Sequence, residues 1–227
     1  MSRVSEHEAR EILVRKAARA LGKSGLVNAY GHCSARIDAA TFLVCAAKPM
    51  GLIVAGEAGT VVPIDGPLPE GVLGEVRTHQ QIYRRRSDVG GIARAFGPSV
   101  LALSVLGLTP KARHGFGAYF APQPPLWNDP QLLRNDEQAS ALADQLGSAK
   151  AIVMRGNGAI TVAENLEAAV VLAWYLDDAA RVELAVRATI GYENAPVLSD
   201  EESTKRAVTA GGIYERMWAF MTHGDPE

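Results

Sequence analysis

The feature of the sequence that most limits its fold is a tight turn between two apolar segments, followed at once by a long helix. Residues 150–154 and 159–162 are rich in Ile, Val and Ala, and an Arg-Gly-Asn-Gly run at 155–158 joins them. Two glycines within four residues favour a turn between antiparallel strands. Asn165 then precedes residues 166–189 as a helix N-cap would. A hairpin followed by such a helix predicts an antiparallel sheet with helices packed on it.

The rest of the chain continues this plan of helices and short strands. Further helices are predicted where apolar residues recur at helical spacing, at 5–23, 72–86, 97–106, 136–146 and 200–220. Short strands are predicted between turn residues at 34–38, 41–46, 52–54, 60–63 and 92–96. Ser5 is the predicted N-cap of the first helix, and Glu8 completes a capping box. Residues 1–227 are therefore predicted to form one α/β domain, a three-layer α/β/α sandwich with a mainly antiparallel central sheet.

Charge and composition exclude several classes of protein. The chain carries 23 basic and 25 acidic residues, and no charge run is longer than Arg84–Arg86, so no nucleic-acid partner is expected. No apolar stretch is long enough to cross a bilayer, and the polar N-terminus is unlike a secretory signal. The two cysteines, Cys33 and Cys45, are interpreted as reduced thiols, which predicts a cytoplasmic protein. Cys33 is a weak nucleophile candidate, and the alternative is a buried, inert thiol.

Glu75 and His79 are the first candidates for chemistry. They stand four residues apart in a predicted helix, so both side chains lie on one face. A carboxylate and an imidazole placed in this way can share a proton or bind one metal ion. The alternative is an ordinary solvated Glu-His pair on a helix surface.

Two further segments carry candidates for binding an anion. Between the first helix and the first strand lie His32, Ser34 and Arg36, all of which are common partners of carboxylates. The stretch 107–130 is rich in Gly, Pro and aromatic residues and is too long for a plain linker. Within it, His114 leads into Gly-Phe-Gly and is a candidate ligand contact. The alternative in both cases is an ordinary loop, with a salt-bridged arginine in the first.

The order and spacing of three segments resemble the class II aldolase/adducin family. The segments are residues 25–36, 75–89 and 154–158, and the likeness extends over about residues 8–190. The resemblance implies an α/β/α sandwich that usually forms a homotetramer with active sites at subunit interfaces. It also implies a divalent metal that stabilises an enediolate or similar anion, and it gives Glu75 the place of the catalytic carboxylate.

The metal site is where this sequence departs from the family's pattern. The family's ligands are three histidines, and by the resemblance their places are held here by Arg94, Phe96 and Asn157. Phenylalanine cannot ligate a metal, and arginine brings a fixed positive charge without a lone pair. We therefore predict that no metal is bound and that no other cofactor is used. Arg94 is predicted to fill part of the metal's space and to offer its charge to a carboxylate or enolate oxygen.

The resemblance also limits the classes of substrate that the protein is expected to accept. Gly31-His32 and Leu73-Gly74 stand where sugar-phosphate members carry Gly-Asn and paired serines, so a phosphorylated sugar is a poor substrate. The segment around His32 looks more like a subgroup that acts on aromatic or pyridine carboxylates and includes decarboxylases. Such an enzyme must stabilise a carbanion and supply a proton to quench it.

These observations predict a cytoplasmic lyase-like enzyme, of the EC 4.1 type, for a small carboxylated substrate that is aromatic in the subgroup it resembles. The reaction is decarboxylation, carbon–carbon cleavage or proton transfer. Glu75 is the predicted general acid or base, His79 and His114 are further proton donors, and Arg94 is the electrophilic anchor. The residues predicted to bind the substrate are His32, Ser34, Arg36, Phe96 and Asn157.

Two alternatives stay open in the sequence. A non-catalytic member of the family, serving as a binding module or partner subunit, would also lose every metal ligand. A metal could instead be kept in a rebuilt shell drawn from Glu75, His79, His32, His114 and Cys33.

Overall fold

A computed structural model describes residues 5–227 and contains one seven-stranded sheet between two layers of helices. The strands are β1 (His32–Arg36), β2 (Thr41–Val44), β3 (Thr60–Pro63), β4 (Gly91–Ala95), β5 (Leu126–Trp127), β6 (Ala151–Met154) and β7 (Ala159–Ala163). Their order across the sheet is β3-β2-β1-β4-β7-β6-β5. The pair β5–β6 is parallel and the other neighbours are antiparallel. The predicted α/β/α sandwich with a mainly antiparallel sheet is confirmed.

Four of the helices in the described part of the chain begin after a residue whose side chain accepts a backbone N–H, and one begins with proline. They are α1 (Glu6–Lys23), α2 (Arg77–Arg85), α3 (Pro98–Val105), α4 (Asp136–Leu146), α5 (Leu166–Arg187), α6 (Asp200–Arg206) and α7 (Ile213–Met221). Ser5 caps α1 by accepting from the backbone N–H of Glu8, as predicted. Asn165 caps α5 in the same way, through the N–H of Ala168. None of the helices within residues 5–227 is long and apolar enough to cross a bilayer.

Each face of the sheet has its own core, because side chains alternate along a strand. On one face α1, α3, α5 and α7 pack over strand residues that include Ala93 and Ala95. On the other face α2 and α4 pack over residues that include Ile92 and Ile160. Arg94 lies between Ala93 and Ala95 in β4, so its side chain points toward α2 and α4. A charged residue thus points into the layer between the sheet and these two helices.

The predicted strand at 52–54 is wrong. The chain makes a 3₁₀ turn at Met50–Leu52 instead. Met50 and Ile53 are both buried, and they are three residues apart. Burial at every third residue fits a 3₁₀ turn, whereas a strand buries every second residue.

Two other segments differ from the sequence prediction. The single helix predicted at 200–220 is divided into α6 and α7, because Gly211 and Gly212 adopt left-handed φ angles of 80° and 69°. A right-handed helix cannot continue through such residues. Strand β5 was not predicted within residues 107–130. It has two residues, which is too short to show an alternating pattern.

Candidate functional site

A group of polar side chains is buried on the α2/α4 face, where β1 and β4 pair. In the register of these strands His32 lies opposite Arg94, and Ser34 follows on the same face of β1. Glu75 lies in the 3₁₀ turn that leads directly into α2, and His79 lies in the first turn of α2. These five residues are called the Arg94 cluster below.

Arg94 is the cation of this cluster, and only 1% of its side chain is exposed. Its Nε lies 3.6 Å from Oε2 of Glu75, and its Nη1 donates to the carbonyl of Ala95 at 3.2 Å. The guanidinium stands over the ring of Phe96, 4.2 Å from the ring centre, in a cation–π contact. Burial lowers the pKa of Arg94 to about 10, although Glu75 acts in the opposite direction. The guanidinium therefore keeps its charge at neutral pH.

Glu75 is the anion of the cluster and its most accessible member, with 22% of its side chain exposed. Its Oε2 lies 3.9 Å from Nε2 of His32. Burial raises the pKa of this carboxyl, but His32 and the charge of Arg94 outweigh burial, and the exposed Arg134 adds to their effect. The pKa of Glu75 is therefore below its ordinary value. At neutral pH Glu75 is a carboxylate, so it can act first as a general base and then, once protonated, as a general acid.

A line of short contacts joins the two histidines to the end of the cluster. His32 Nδ1 lies 2.9 Å from His79 Nε2, and His79 Nδ1 lies 2.7 Å from the hydroxyl of Ser34. The Ser34 hydroxyl is in turn 2.9 Å from that of Tyr83, which also donates to the Ser34 carbonyl at 3.1 Å. Burial lowers the pKa of His32, and it lowers that of His79 well below its ordinary value. Both imidazoles are therefore neutral at pH 7.

The hairpin turn between β6 and β7 lies against Arg94. Gly158 has a φ of 72°, and a Cβ added there would lie 2.2 Å from the carbonyl oxygen of Ala95 and 3.1 Å from Arg94 Nη1. Only glycine fits such a close approach at a positive φ. The preceding residue, Asn157, buries its side-chain amide nitrogen. The turn thus lies against Arg94 through Gly158, the residue that follows Asn157.

Three buried nitrogen atoms of the cluster and of the turn that lies against it have no hydrogen-bond partner within residues 5–227. They are His32 Nε2, Arg94 Nη2 and Asn157 Nδ2. A buried polar group left without a partner costs about 1–3 kcal/mol, so such groups mark places where a ligand gains from binding. Arg94 Nη2 and Asn157 Nδ2 can only donate, and Arg94 also carries a positive charge. The arrangement can therefore hold an oxygen anion next to the Glu75 carboxylate.

Alanine at Gly158 is expected to destabilise the fold. The new Cβ would overlap the carbonyl of Ala95, and alanine disfavours a φ of 72°. We expect the free energy of unfolding to fall by roughly 2–3 kcal/mol, measured by urea denaturation. Gly156→Ala is the matched control, because Gly156 has a φ of 66° but its nearest neighbour would be 3.9 Å away. Equal losses in the two variants would contradict the close approach of the turn to β4.

Arg36 was predicted to bind substrate, but its guanidinium forms hydrogen bonds with backbone carbonyls. It donates to the carbonyls of Val89, Tyr83 and Arg86 at 2.8–2.9 Å. These bonds tie the end of α2 to β1, as basic groups at a helix C-terminus often do. The structure gives Arg36 a role in holding α2 in place and does not bring its charge to Arg94.

His114 is also placed away from the Arg94 cluster. It contacts Phe116, which packs into the core on the α5 face, and its Nε2 lies 2.9 Å from Asp178 of α5. An ion pair between Arg113 and Glu183 holds the same loop on α5. His114 is therefore on the opposite side of the sheet, and its predicted role as a proton donor beside Glu75 is not supported.

The rebuilt metal shell considered from the sequence does not form. Cys33 faces α1, where its Sγ lies 3.6 Å from the Val14 carbonyl, and His114 is on that side of the sheet too. Both ring nitrogens of His79 are already engaged. In the part of the chain that the structure describes, no three His, Cys, Asp or Glu side chains are grouped as a metal ion would require.

Two residues near the site were not predicted. Tyr83 ends the line of contacts that begins at Glu75, and Arg134 lies close enough to lower the pKa of Glu75. A signal for Tyr83 was present, because it follows His79 by four residues on the same helix face. Arg134 comes from the loop before α4, and its nearness to Glu75 depends on tertiary structure alone.

Comparison with known sequences connects this site to a protein family. Residues 13–184 match the family described as Class II Aldolase and Adducin N-terminal domain. The chain is 30% identical over 195 residues to a protein of Arthrobacter keyseri named 3,4-dihydroxyphthalate decarboxylase, covering 77% of each chain. It is 25% identical to the protein of the same name in Rhodococcus jostii, covering 79% of this chain and 81% of that protein.

Solved structures show the same fold. L-fuculose-1-phosphate aldolase of Thermus thermophilus superposes with a TM-score of 0.70 at 26% identity, covering 81% of this chain and 97% of that chain. An aldolase II superfamily protein from Pseudomonas syringae superposes with a TM-score of 0.79 at 20% identity, covering 96% and 93%. At that lower identity the likeness concerns the fold alone.

Proposed function

Since this chain belongs to the class II aldolase and adducin family, we propose that it is a lyase that decarboxylates a small hydroxylated aromatic carboxylate. The names of the relatives from A. keyseri and R. jostii support this class of substrate. The resemblance of the segment around His32 to aromatic-carboxylate members points the same way. The alternative of a non-catalytic binding module receives no support from these relatives, which are named as enzymes.

The observation that carries the proposal is the buried pair of Arg94 and Glu75. The Nε of Arg94 lies 3.6 Å from a carboxylate oxygen of Glu75, which solvent can reach. The Nη2 of the same guanidinium has no hydrogen-bond partner within residues 5–227. The cation can hold an oxygen that becomes negative during the reaction, in a site where water screens little. The carboxylate can move a proton, because it is ionised at neutral pH.

The residues present do not fit the divalent metal that the family normally uses. Arg94 has no lone pair and carries its own positive charge beside Glu75, and the Phe96 ring is not a ligand. Asn157 turns a buried amide nitrogen, which is a donor, toward a closed environment. We propose that the guanidinium of Arg94 provides the positive charge of this site in place of a metal.

In the proposed reaction Glu75 takes the proton of a ring hydroxyl and returns it to the ring carbon that bears the carboxylate. The carbon–carbon bond then breaks, its electron pair restores the aromatic ring as a phenolate, and carbon dioxide leaves. Solvent protonates the phenolate on release. Arg94 Nη2 and Asn157 Nδ2 donate to the ring oxygen while it carries negative charge.

The proposal is tested with chelator-treated, purified protein. We expect the protein to release carbon dioxide from 3,4-dihydroxyphthalate or a related hydroxybenzoate. The ring product is identified by chromatography. Elemental analysis of the same sample is expected to find zinc, manganese, iron and cobalt far below one per chain. Adding each metal back is expected to leave turnover unchanged.

The possible outcomes separate the two parts of the proposal. One metal per chain, with activity that depends on it, would contradict the assignment of Arg94 as the cation. If 3,4-dihydroxyphthalate and the related hydroxybenzoates are not turned over, and calorimetry shows that none of them binds, the proposal of a lyase would be contradicted. A non-catalytic role would then be favoured.

Three further properties stay predictions. They are the homotetramer, the cytoplasmic location and the organisation of residues 1–227 as one domain. Exposed apolar side chains at Leu52, Val54 and Phe220 support burial of surface between copies of the chain.

A further inference from the structure

We infer that His79 is a positioning residue, which fixes the tautomer of His32 so that His32 presents an N–H group to Glu75. The inference rests on the proposed function only where it calls Glu75 the base. It differs from the role predicted from the sequence, in which His79 itself exchanges protons with the substrate.

His79 is placed to orient a neighbour and has no free atom for a substrate. Its side chain is fully buried, with 0% exposed. Its Nε2 is 2.9 Å from His32, and its Nδ1 is 2.7 Å from Ser34. Both nitrogens are therefore used, and His79 can exchange a proton only with His32 or Ser34, not directly with a ligand.

The contacts allow only two directions of hydrogen bonding along the line. A neutral imidazole has one N–H and one lone pair, so the direction chosen at one histidine sets the direction at the next. In one direction Ser34 donates to His79, His79 donates to His32, and His32 Nε2 carries its hydrogen toward Glu75. In the other direction every bond is reversed, and His32 presents a lone pair at Nε2.

The charge of Glu75 is compatible only with the first direction, in which the N–H of His79 keeps Nδ1 of His32 as an acceptor. Its carboxylate oxygen lies 3.9 Å from His32 Nε2, and a lone pair facing that oxygen would be repelled. The charged groups that face Glu75 are Arg94, at 3.6 Å, and the more distant Arg134, and both keep it ionised. His32 Nε2–H therefore points at the carboxylate, close enough for an oxygen of a ligand to accept from it.

Tyr83, at the other end of the line of contacts, also supports this direction. The Tyr83 hydroxyl donates to the carbonyl of Ser34 at 3.1 Å, so its own proton is committed. Burial raises the pKa of Tyr83, which keeps that proton in place. The Ser34 hydroxyl is then free to give its single proton to His79.

The test reads the tautomers directly, without a substrate. In the wild-type protein, long-range ¹⁵N–¹H spectra of the imidazoles are expected to show Nε2–H on both His32 and His79. An Nδ1–H tautomer on either ring would overturn the inference. Because no turnover is measured, this result is independent of whether the decarboxylation proposal is correct.

A variant series then tests the effect on Glu75, whose titration is followed by carboxyl ¹³C NMR. His79→Leu removes the donor to His32, and the titration midpoint of Glu75 is expected to rise by about one pH unit. His79→Gln keeps an N–H donor at this place and is expected to restore most of the wild-type midpoint. Tyr83→Phe is the matched control at the same depth, and no shift is expected because Ser34 still donates to His79.

A midpoint that rises equally in His79→Leu and His79→Gln would show that His79 only fills space. A shift in Tyr83→Phe as large as that in His79→Leu would show that the line runs in the opposite direction. If His79→Leu does not fold, Ser34→Ala takes its place. It removes the donor to His79 and is expected to raise the Glu75 midpoint in the same sense.

Discussion

Replacing Arg94 with methionine is expected to abolish turnover with only a moderate loss of stability. Arg94 is buried, and one of its nitrogens has no partner, so its desolvation is only partly compensated. Removing one partner of a buried ion pair is destabilising because it leaves the other charge uncompensated, but Glu75 keeps 22% of its side chain exposed and can stay hydrated. Loss of a preorganised donor to a developing anion lowers kcat by about 10²–10³, and loss of the buried cation beside that anion is expected to lower kcat further. Thermal unfolding and the decarboxylation assay measure the two effects.

Two further variants make the result specific. Arg94→Lys keeps a charge but loses the planar set of donors, so we expect partial turnover. Arg134→Met removes an exposed arginine near the site and is expected to change KM more than kcat. Wild-type turnover in Arg94→Met would refute the role of the guanidinium. A variant that is both inactive and strongly destabilised would instead assign Arg94 a structural role.

Replacing Glu75 with glutamine is expected to lower kcat by about 10²–10⁴, with little change in KM, because it removes the proposed base and keeps the shape. The pH dependence follows from the lowered pKa of Glu75. The carboxylate stays ionised at neutral pH and is protonated only as the pH falls through that lowered value, so kcat/KM is expected to drop there. In the glutamine variant this acidic limb is expected to disappear from the residual rate.

Glu70→Gln is a suitable control for Glu75→Gln, because it neutralises an exposed carboxylate five residues earlier. Its rate and pH profile are expected to match those of the wild type. An acidic limb that persists in Glu75→Gln would mean that another group takes the proton.

The fold could be predicted well where local chemistry decides it. Asn165 and Ser5 cap helices as expected, and the glycines at 155–158 close the expected hairpin. The errors occur where local patterns compete with packing. The apolar residues at 52–54 are compatible with a strand, but burial of Met50 and Ile53 favours a 3₁₀ turn.

The candidate site was harder to predict, because the sequence gives residue types but not the face of the sheet on which they lie. Glu75, Arg94 and His32 do come together. His114 has equally suitable chemistry but is held on α5, on the other face. Which face a loop returns to depends on long-range contacts such as that of Arg113 with Glu183, which no local pattern records.

The guanidinium of Arg94 is held between the ring of Phe96 and the carbonyl of Ala95, on a strand in the middle of the sheet. A cation that is part of the polypeptide is made together with the chain and needs no delivery from a metal pool. It cannot be exchanged for the wrong ion, and a scarcity of metal does not deplete it. In the proposed lyase the charge of the site is therefore in place as soon as the chain has folded.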